Sequence, residues 1–150
     1  VEEIRYCERC SHFSDHALCS VCSNPRRQHE TVCVVADPRD LMAIEQTGRY
    51  SGVYHVLGGL IAPLEGVQPE QLRIEELMAR VESGVVKEVV LALNSTHEGE
   101  TTAFYLSRRL SNTPVTLSTL ARGVAVGAEL EYADELTLGR SIADRVPFKG

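Results

Sequence analysis

The chain has 150 residues, 43% hydrophobic and 24% charged, with a net charge of −6. That is enough apolar material for a buried core and argues against wholesale disorder. No apolar run approaches the roughly 18–20 residues of a membrane span, and Val1 to Arg5 lack a signal-peptide pattern, so the reading is cytoplasmic. The acidic balance speaks against broad phosphate coverage, and the absence of Trp with only 5% aromatics speaks against a stacking platform for single strands.

Residues 1–30 are polar and crowded with Cys, His, Ser and Asn, and they read as one small module. Cys7, Cys10, Cys19 and Cys22 form two Cys-x-x-Cys pairs. Each pair lets two thiolates converge on one ion, and two pairs complete a tetrahedral zinc shell with no position left for water. Such a site, one Zn²⁺ per chain, is structural. In a segment with little core of its own it supplies most of the folding energy, roughly 10–16 kcal/mol in peptides. Two disulfides or a redox pair are the alternative, disfavoured by the paired spacing and a cytoplasmic setting. His12 and His16, between the pairs, read as surface residues that could substitute as ligands. Arg26 and Arg27 follow the last cysteine, either as a solvated charge pair or as a small nucleic-acid footprint.

From Val32 the texture changes, and residues 31–121 read as a second unit. Val32 to Ala36 is a short apolar run, expected as a buried strand with Cys33 as a small buried hydrophobe. Asp37 and Pro38 mark a helix start that presents Leu41, Ala43, Ile44 and Thr47 before Gly48 ends it. Val53 to Leu57 is the second strand. Gly58 and Gly59 open an irregular loop through Gly66; without a following Gly-Lys this reads as a plain loop and not a phosphate cradle. A helix is expected over 69–82 with Ile74, Leu77, Met78 and Val81 inward, then a strand over 88–93, a helix over 97–110 and a strand over 115–118. This alternation predicts an α/β fold with a parallel sheet covered by helices on both faces. Ligands are then expected at the carboxyl ends of the strands, near Asp37, Gly58 and Asn94.

Residues 122–150 complete the chain as a loop and a short helix from Tyr132 to about Ile142. Val124 to Gly127 is apolar, and Leu136, Leu138 and Ile142 need a surface to cover them. That surface is either the chain's own sheet or a second subunit.

Leu91 to Glu100 resembles the second motif of a Toprim domain, in which an Asp-x-Asp and an earlier Glu hold Mg²⁺ for phosphoryl transfer. Here those acids fall at Ala36, Asn94 and Thr96, which argues against a tight Mg²⁺ site and against catalysis. Asp37, Glu98 and Glu100 remain, and the last two also suit the first turn of a helix by complementing its dipole.

The stretch His55 to Gly66, the run Glu88 to Ala92 leading to Glu98-Gly99-Glu100, the segment Val126 to Asp134, and the tail residues Thr137 to Arg140 with Asp144 and Arg145 extend the likeness. With the four-cysteine module and the Toprim-like unit, they resemble the RecR family of bacterial recombination mediators across nearly the whole chain. The chain departs at Ala62, Ala125 and Ala128, where the family usually has Ser, Pro and Gly, and at Ala36. The resemblance implies a non-catalytic role in DNA repair, with RecO-type and RecF-type partners, assistance to RecA loading on single-stranded DNA, a tetrameric ring, and a nucleoid-associated location in the cytoplasm. The family's helix-hairpin-helix DNA-binding segment has no counterpart ahead of Cys7, so DNA binding is expected of the intact protein and not of these 150 residues. A basic partner is expected to meet Glu98 first, with Glu100 and Asp37 next, because Glu98 sits at a sheet end. A Mg²⁺-dependent Toprim enzyme of small-primase or nuclease type is the alternative. A purely zinc-dependent DNA-binding module is a third reading, opposed by the net charge.

Overall fold

The computed structural model describes residues 5–7, 13–14, 21–94, 96–120, 142–143 and 145–148. Strands β1 (Arg5–Tyr6) and β2 (Phe13–Ser14) pair antiparallel. The larger unit contains β3 (Gln28–Val35), α1 (Pro38–Gln46), β4 (Gly52–Val56), α2 (Ile74–Glu82), β5 (Glu88–Leu91), α3 (His97–Arg109), β6 (Thr116–Thr119) and β7 (Val146–Pro147). The sheet order is β4-β3-β5-β6-β7. The first three pairings are parallel and the last is antiparallel.

The sheet is sandwiched as the alternation predicts, because its central strands are apolar on both sides. Val32 and Val34 of β3 face a core built with Ile74, Leu77 and Val81 of α2 and Leu106 of α3. Cys33 and Val35, pointing the other way, pack with Leu41 and Ile44 of α1, Tyr54, Val90 and Ile142. Burial of each large aliphatic side chain contributes about 1.5–3 kcal/mol. Cys33 is fully buried, and desolvation drives its thiol pKa up, which keeps it a neutral packing residue.

The chain order of the parallel strands places the switch in winding direction between β3 and β5. The connection leaving β3 covers one face and that leaving β5 the other. Such a reversal opens a crevice outside the carboxyl ends of the two strands.

The structure departs from the expected elements in three places. The sheet is mixed and not wholly parallel: β7 adds an antiparallel edge strand, and Pro147, with no N–H to donate, suits an edge. The helix expected over 69–82 is divided into a 3₁₀ turn, Pro69–Gln71, and α2 from Ile74. Leu72 between them is extended, and the Arg73 N–H leaves the helical pattern to donate to the Leu57 carbonyl at 3.0 Å. Strand β3 begins at Gln28, four residues before the apolar run. The helix expected from Tyr132 lies outside the described residues as far as 141, while Ile142 is fully buried.

Candidate functional site

The crevice at the winding switch is a cleft of about 460 Å³. Three backbone features build it. Asp37, two residues past the end of β3, is extended and caps α1, its carboxylate accepting from the Arg39 N–H at 2.7 Å. Gly58 and Gly59 leave β4 with φ of 91° and 154°, a region that side-chain-bearing residues rarely adopt, and the Gly58 N–H donates to the Ala36 carbonyl at 2.9 Å. Thr96 caps α3, its hydroxyl oxygen accepting from the Gly99 N–H at 3.1 Å. Gly99 is required for a separate reason: a Cβ there would overlap the Asn94 carbonyl, so only glycine lets α3 lie this close to the end of β5.

Of the three acids singled out from sequence, Asp37 and Glu98 line the cleft and Glu100 does not; it is exposed on the solvent side of α3. Partial burial would raise the Asp37 pKa, but hydrogen bonds from the Arg39 side chain and backbone outweigh it and hold the carboxyl below its usual value. Two further acids reach the cleft that sequence reasoning missed, Asp40 and Glu65. Asp40 could have been found, since it is three residues beyond the cap of α1 and shares a face with Asp37. Glu65 lies in a 3₁₀ turn, Pro63–Glu65, folded back by an antiparallel bridge between Ala62 and Val67. No local pattern announces that fold-back. Among the described residues, the cleft is lined by four carboxylates and one guanidinium, that of Arg39.

Ala36, Asn94 and Thr96, where the sequence likeness places the metal-binding acids of a Toprim enzyme, also line this cleft. Ala36 brings no side-chain oxygen, and the Thr96 hydroxyl is engaged in capping α3. The donor set that holds Mg²⁺ beside a phosphate, several carboxylates around one ion, is not met at these positions.

At the other end of the chain, Cys7 and Cys22 are 1% and 2% exposed and pack together, with Val21 against them. Two cysteines fifteen positions apart in sequence thus converge, as a four-thiolate zinc shell needs. Cys10, Cys19, His12 and His16 lie outside the described residues. Val21 also packs against both sheet clusters and so links the two units. Arg27 strengthens that link. Its guanidinium donates to both Glu45 oxygens at 3.0 Å and to the Gly52 carbonyl at 2.8 Å, and it lies about 6 Å from the ring centres of Tyr50 and Tyr54. Burial opposes its charge, yet Glu45 and Tyr54 more than compensate and raise its pKa. Arg27 is therefore a structural latch and only Arg26 of the pair is exposed.

Family models match along the chain. A RecR zinc finger domain of the four-cysteine type covers residues 4–24, a Toprim domain covers 30–121, and a RecR carboxyl-terminal region covers 123–146. Three relatives, each named Recombination protein RecR, are similar over nearly all of this chain. Those of Flavobacterium johnsoniae and Bacteroides thetaiotaomicron are each 55% identical over 148 residues, which is 99% of this chain and 72% of the relative. That of Porphyromonas gingivalis is 52% identical over 147 residues, 98% of this chain and 71% of the relative.

The chain belongs to the RecR family. Its four-cysteine module is accordingly a RecR zinc finger with a structural zinc, and its α/β unit is a Toprim domain. The acidic cleft is the carboxyl-end crevice of that RecR Toprim domain, and the paired Cys7 and Cys22 belong to its zinc finger. Among the described residues, no helix is long and apolar enough to cross a membrane.

Proposed function

We propose that this RecR-family chain is a non-catalytic recombination mediator subunit whose acidic Toprim cleft docks a basic partner of RecO type. Family membership puts the chain in DNA recombination and repair. The carrying observation is the composition of the cleft: Asp37, Asp40, Glu65 and Glu98 line it, but the positions that the Toprim likeness assigns to metal-binding acids are Ala36, Asn94 and Thr96. A scaffold shaped for phosphoryl transfer has kept its crevice and its negative charge without the chelating acids. Negative charge at a rim favours encounter with, and selection of, a positive protein surface.

In this reading Glu98 makes the main partner contact and Asp37 supports it. Glu100 stands in the same first turn of α3 but on its exposed side, outside the cleft. Cys7, Cys10, Cys19 and Cys22 hold one Zn²⁺ and shape the module 1–30; residues 31–121 carry the docking cleft, and residues 122–150 supply a subunit contact. The chain acts in the nucleoid-associated cytoplasm with RecO-type and RecF-type proteins to load RecA on single-stranded DNA. Four subunits form a ring.

Calorimetric titration of a RecO-type partner into the zinc-loaded chain tests the proposal. Saturable binding that a Glu98→Arg variant weakens by tenfold or more supports it. Binding that Glu98→Arg leaves unchanged moves the interface away from the cleft. Mg²⁺-dependent DNA cleavage or primer synthesis by the pure chain contradicts the non-catalytic reading outright.

A further inference from the structure

Among the described residues, helix α3 has one exposed face. Glu100, Phe104 and Arg108 are all exposed, and at spacings of four they stand in one row along the helix. Phe104, in the middle, is 48% exposed. The Arg108 guanidinium lies 5.7 Å from the centre of that ring. Among the described residues neither Glu100 nor Arg108 forms an ion pair. Arg109 on the flank contrasts with them: it bonds Glu75 at 2.8 Å and the Tyr105 hydroxyl at 3.1 Å.

We propose that this face of α3 is a two-fold self-docking surface, with a second copy of this chain packed antiparallel across Phe104. The row reads acid, aromatic, base, and that order is self-complementary only under a two-fold axis through its centre. In an antiparallel pair each residue before 104 meets the residue equally far after 104 on the other copy. Glu100 then faces Arg108 of the partner subunit, Phe104 faces the partner subunit's Phe104, and Arg108 faces Glu100 of the partner subunit. One axis therefore covers the exposed ring and pairs both exposed charges, the signature of an isologous contact. Antiparallel helix dipoles add a smaller favourable contribution. The charges cannot neutralise each other within one chain, because eight residues of helix separate them by about 12 Å.

The helix has 13 residues, about 20 Å of length. That is small against a standard interface of roughly 1,600 Å², so the contact is weak, with a dissociation constant on the order of 0.1 mM. It is a different surface from the carboxyl-terminal segment proposed above as a subunit contact, and it does not depend on the docking cleft.

Sedimentation equilibrium of the zinc-loaded chain, at rising concentration and low salt, tests it. Glu100→Arg and Arg108→Glu each turn two attractive pairs into two repulsive ones, and each is expected to weaken association about tenfold. Phe104→Ala weakens it further. The two charge variants mixed together are expected to associate with each other, because the Glu100→Arg copy presents two positive charges and the Arg108→Glu copy two negative ones. Circular dichroism confirms that each variant is folded. A weak association step, on the order of 0.1 mM, that the single variants leave unchanged, loss that mixing does not restore, or no such step up to about 1 mM would each overturn the proposal, whatever stronger contact the carboxyl-terminal segment makes.

Discussion

Replacing Glu88 with Ala should loosen the carboxyl-terminal edge of the sheet. Glu88 opens β5 and gathers three donors: Arg145 Nε at 2.8 Å, Arg145 Nη2 at 2.9 Å and the Ser118 hydroxyl at 2.6 Å. The Glu88 and Arg145 side chains are only 23% and 28% exposed. Removing the carboxylate leaves a largely buried guanidinium without its ion-pair partner and strips the Ser118 hydroxyl of its acceptor. Charge-assisted hydrogen bonds in such a setting contribute about 1.5–3 kcal/mol, and a partner left unpaired adds to the loss. We expect destabilisation of about 2–3 kcal/mol, or roughly 4–12 °C in Tm for a domain of this size. The loss should be local as well as global: exchange of the Phe148 amide, which donates to the Leu117 carbonyl at 3.1 Å, should accelerate first. The same pair sets a pH signature. The Arg145 hydrogen bonds, against an opposing effect of burial and with help from Ser118, lower the Glu88 pKa. A carboxyl depressed in the folded state contributes stability that is complete above its ordinary pKa near 4.5 and is lost as pH falls through its lower folded value. Glu88→Gln should therefore flatten the acid limb of the stability curve below about pH 4.5. Urea melts of both variants between pH 3 and 7 read this. A Glu88→Ala loss under about 0.5 kcal/mol, or identical acid limbs for wild type and Glu88→Gln, would refute this role of the Glu88–Arg145 pair.

Three further outcomes follow from the same structure. Gly99→Ala forces a methyl group into the Asn94 carbonyl, so it should cost at least about 2 kcal/mol in chemical denaturation although alanine favours helix; a neutral result would show that α3 can move away from β5. Arg27→Ala removes the bidentate pair to Glu45 and the cover over Tyr50 and Tyr54, and should cost about 2–3 kcal/mol and expose residues 21–30 to limited proteolysis. Removing zinc with a strong chelator should release one ion per chain and free the cysteines around Cys7 and Cys22 for alkylation, while the sheet still melts cooperatively; a chain that loses its sheet with the metal would show that the two units fold as one.

The elements that sequence reasoning located are those whose burial follows a local period. Val32 to Val35 are apolar on both sides because helices cover both faces, Val53 to Val56 are buried on both sides with His55 bonded to the Arg73 carbonyl, and Ile74, Leu77, Met78 and Val81 recur at helical spacing because only one side of α2 is inward. The missed features depend on contacts from far along the chain. Gln28 to Glu30 extend β3 although they are polar, because their backbone finds partners across the sheet: the Gln28 N–H donates to Ser51 and the Glu30 carbonyl accepts from Lys87. The break at Leu72 exists because the Arg73 N–H is drawn to Leu57. Strand β7 is two residues long, too short for any period, and is held by Arg145 reaching back to Glu88. The candidate site divides in the same way. Asp37 and Glu98 were legible because caps and strand ends are local signals, whereas Glu65 arrives by a loop that folds back, and Arg27 looks like solvent charge until Glu45 and the two tyrosines surround it.

The central claim is that the carboxyl-end cleft is the docking surface. Hydrogen exchange of the zinc-loaded chain, alone and saturated with a RecO-type partner, tests it most directly. The account predicts slowed exchange confined to residues 36–40, 58–67 and 94–98, where the cleft walls lie. Protection on the zinc finger or elsewhere on the Toprim domain, with those three segments unchanged, would contradict it.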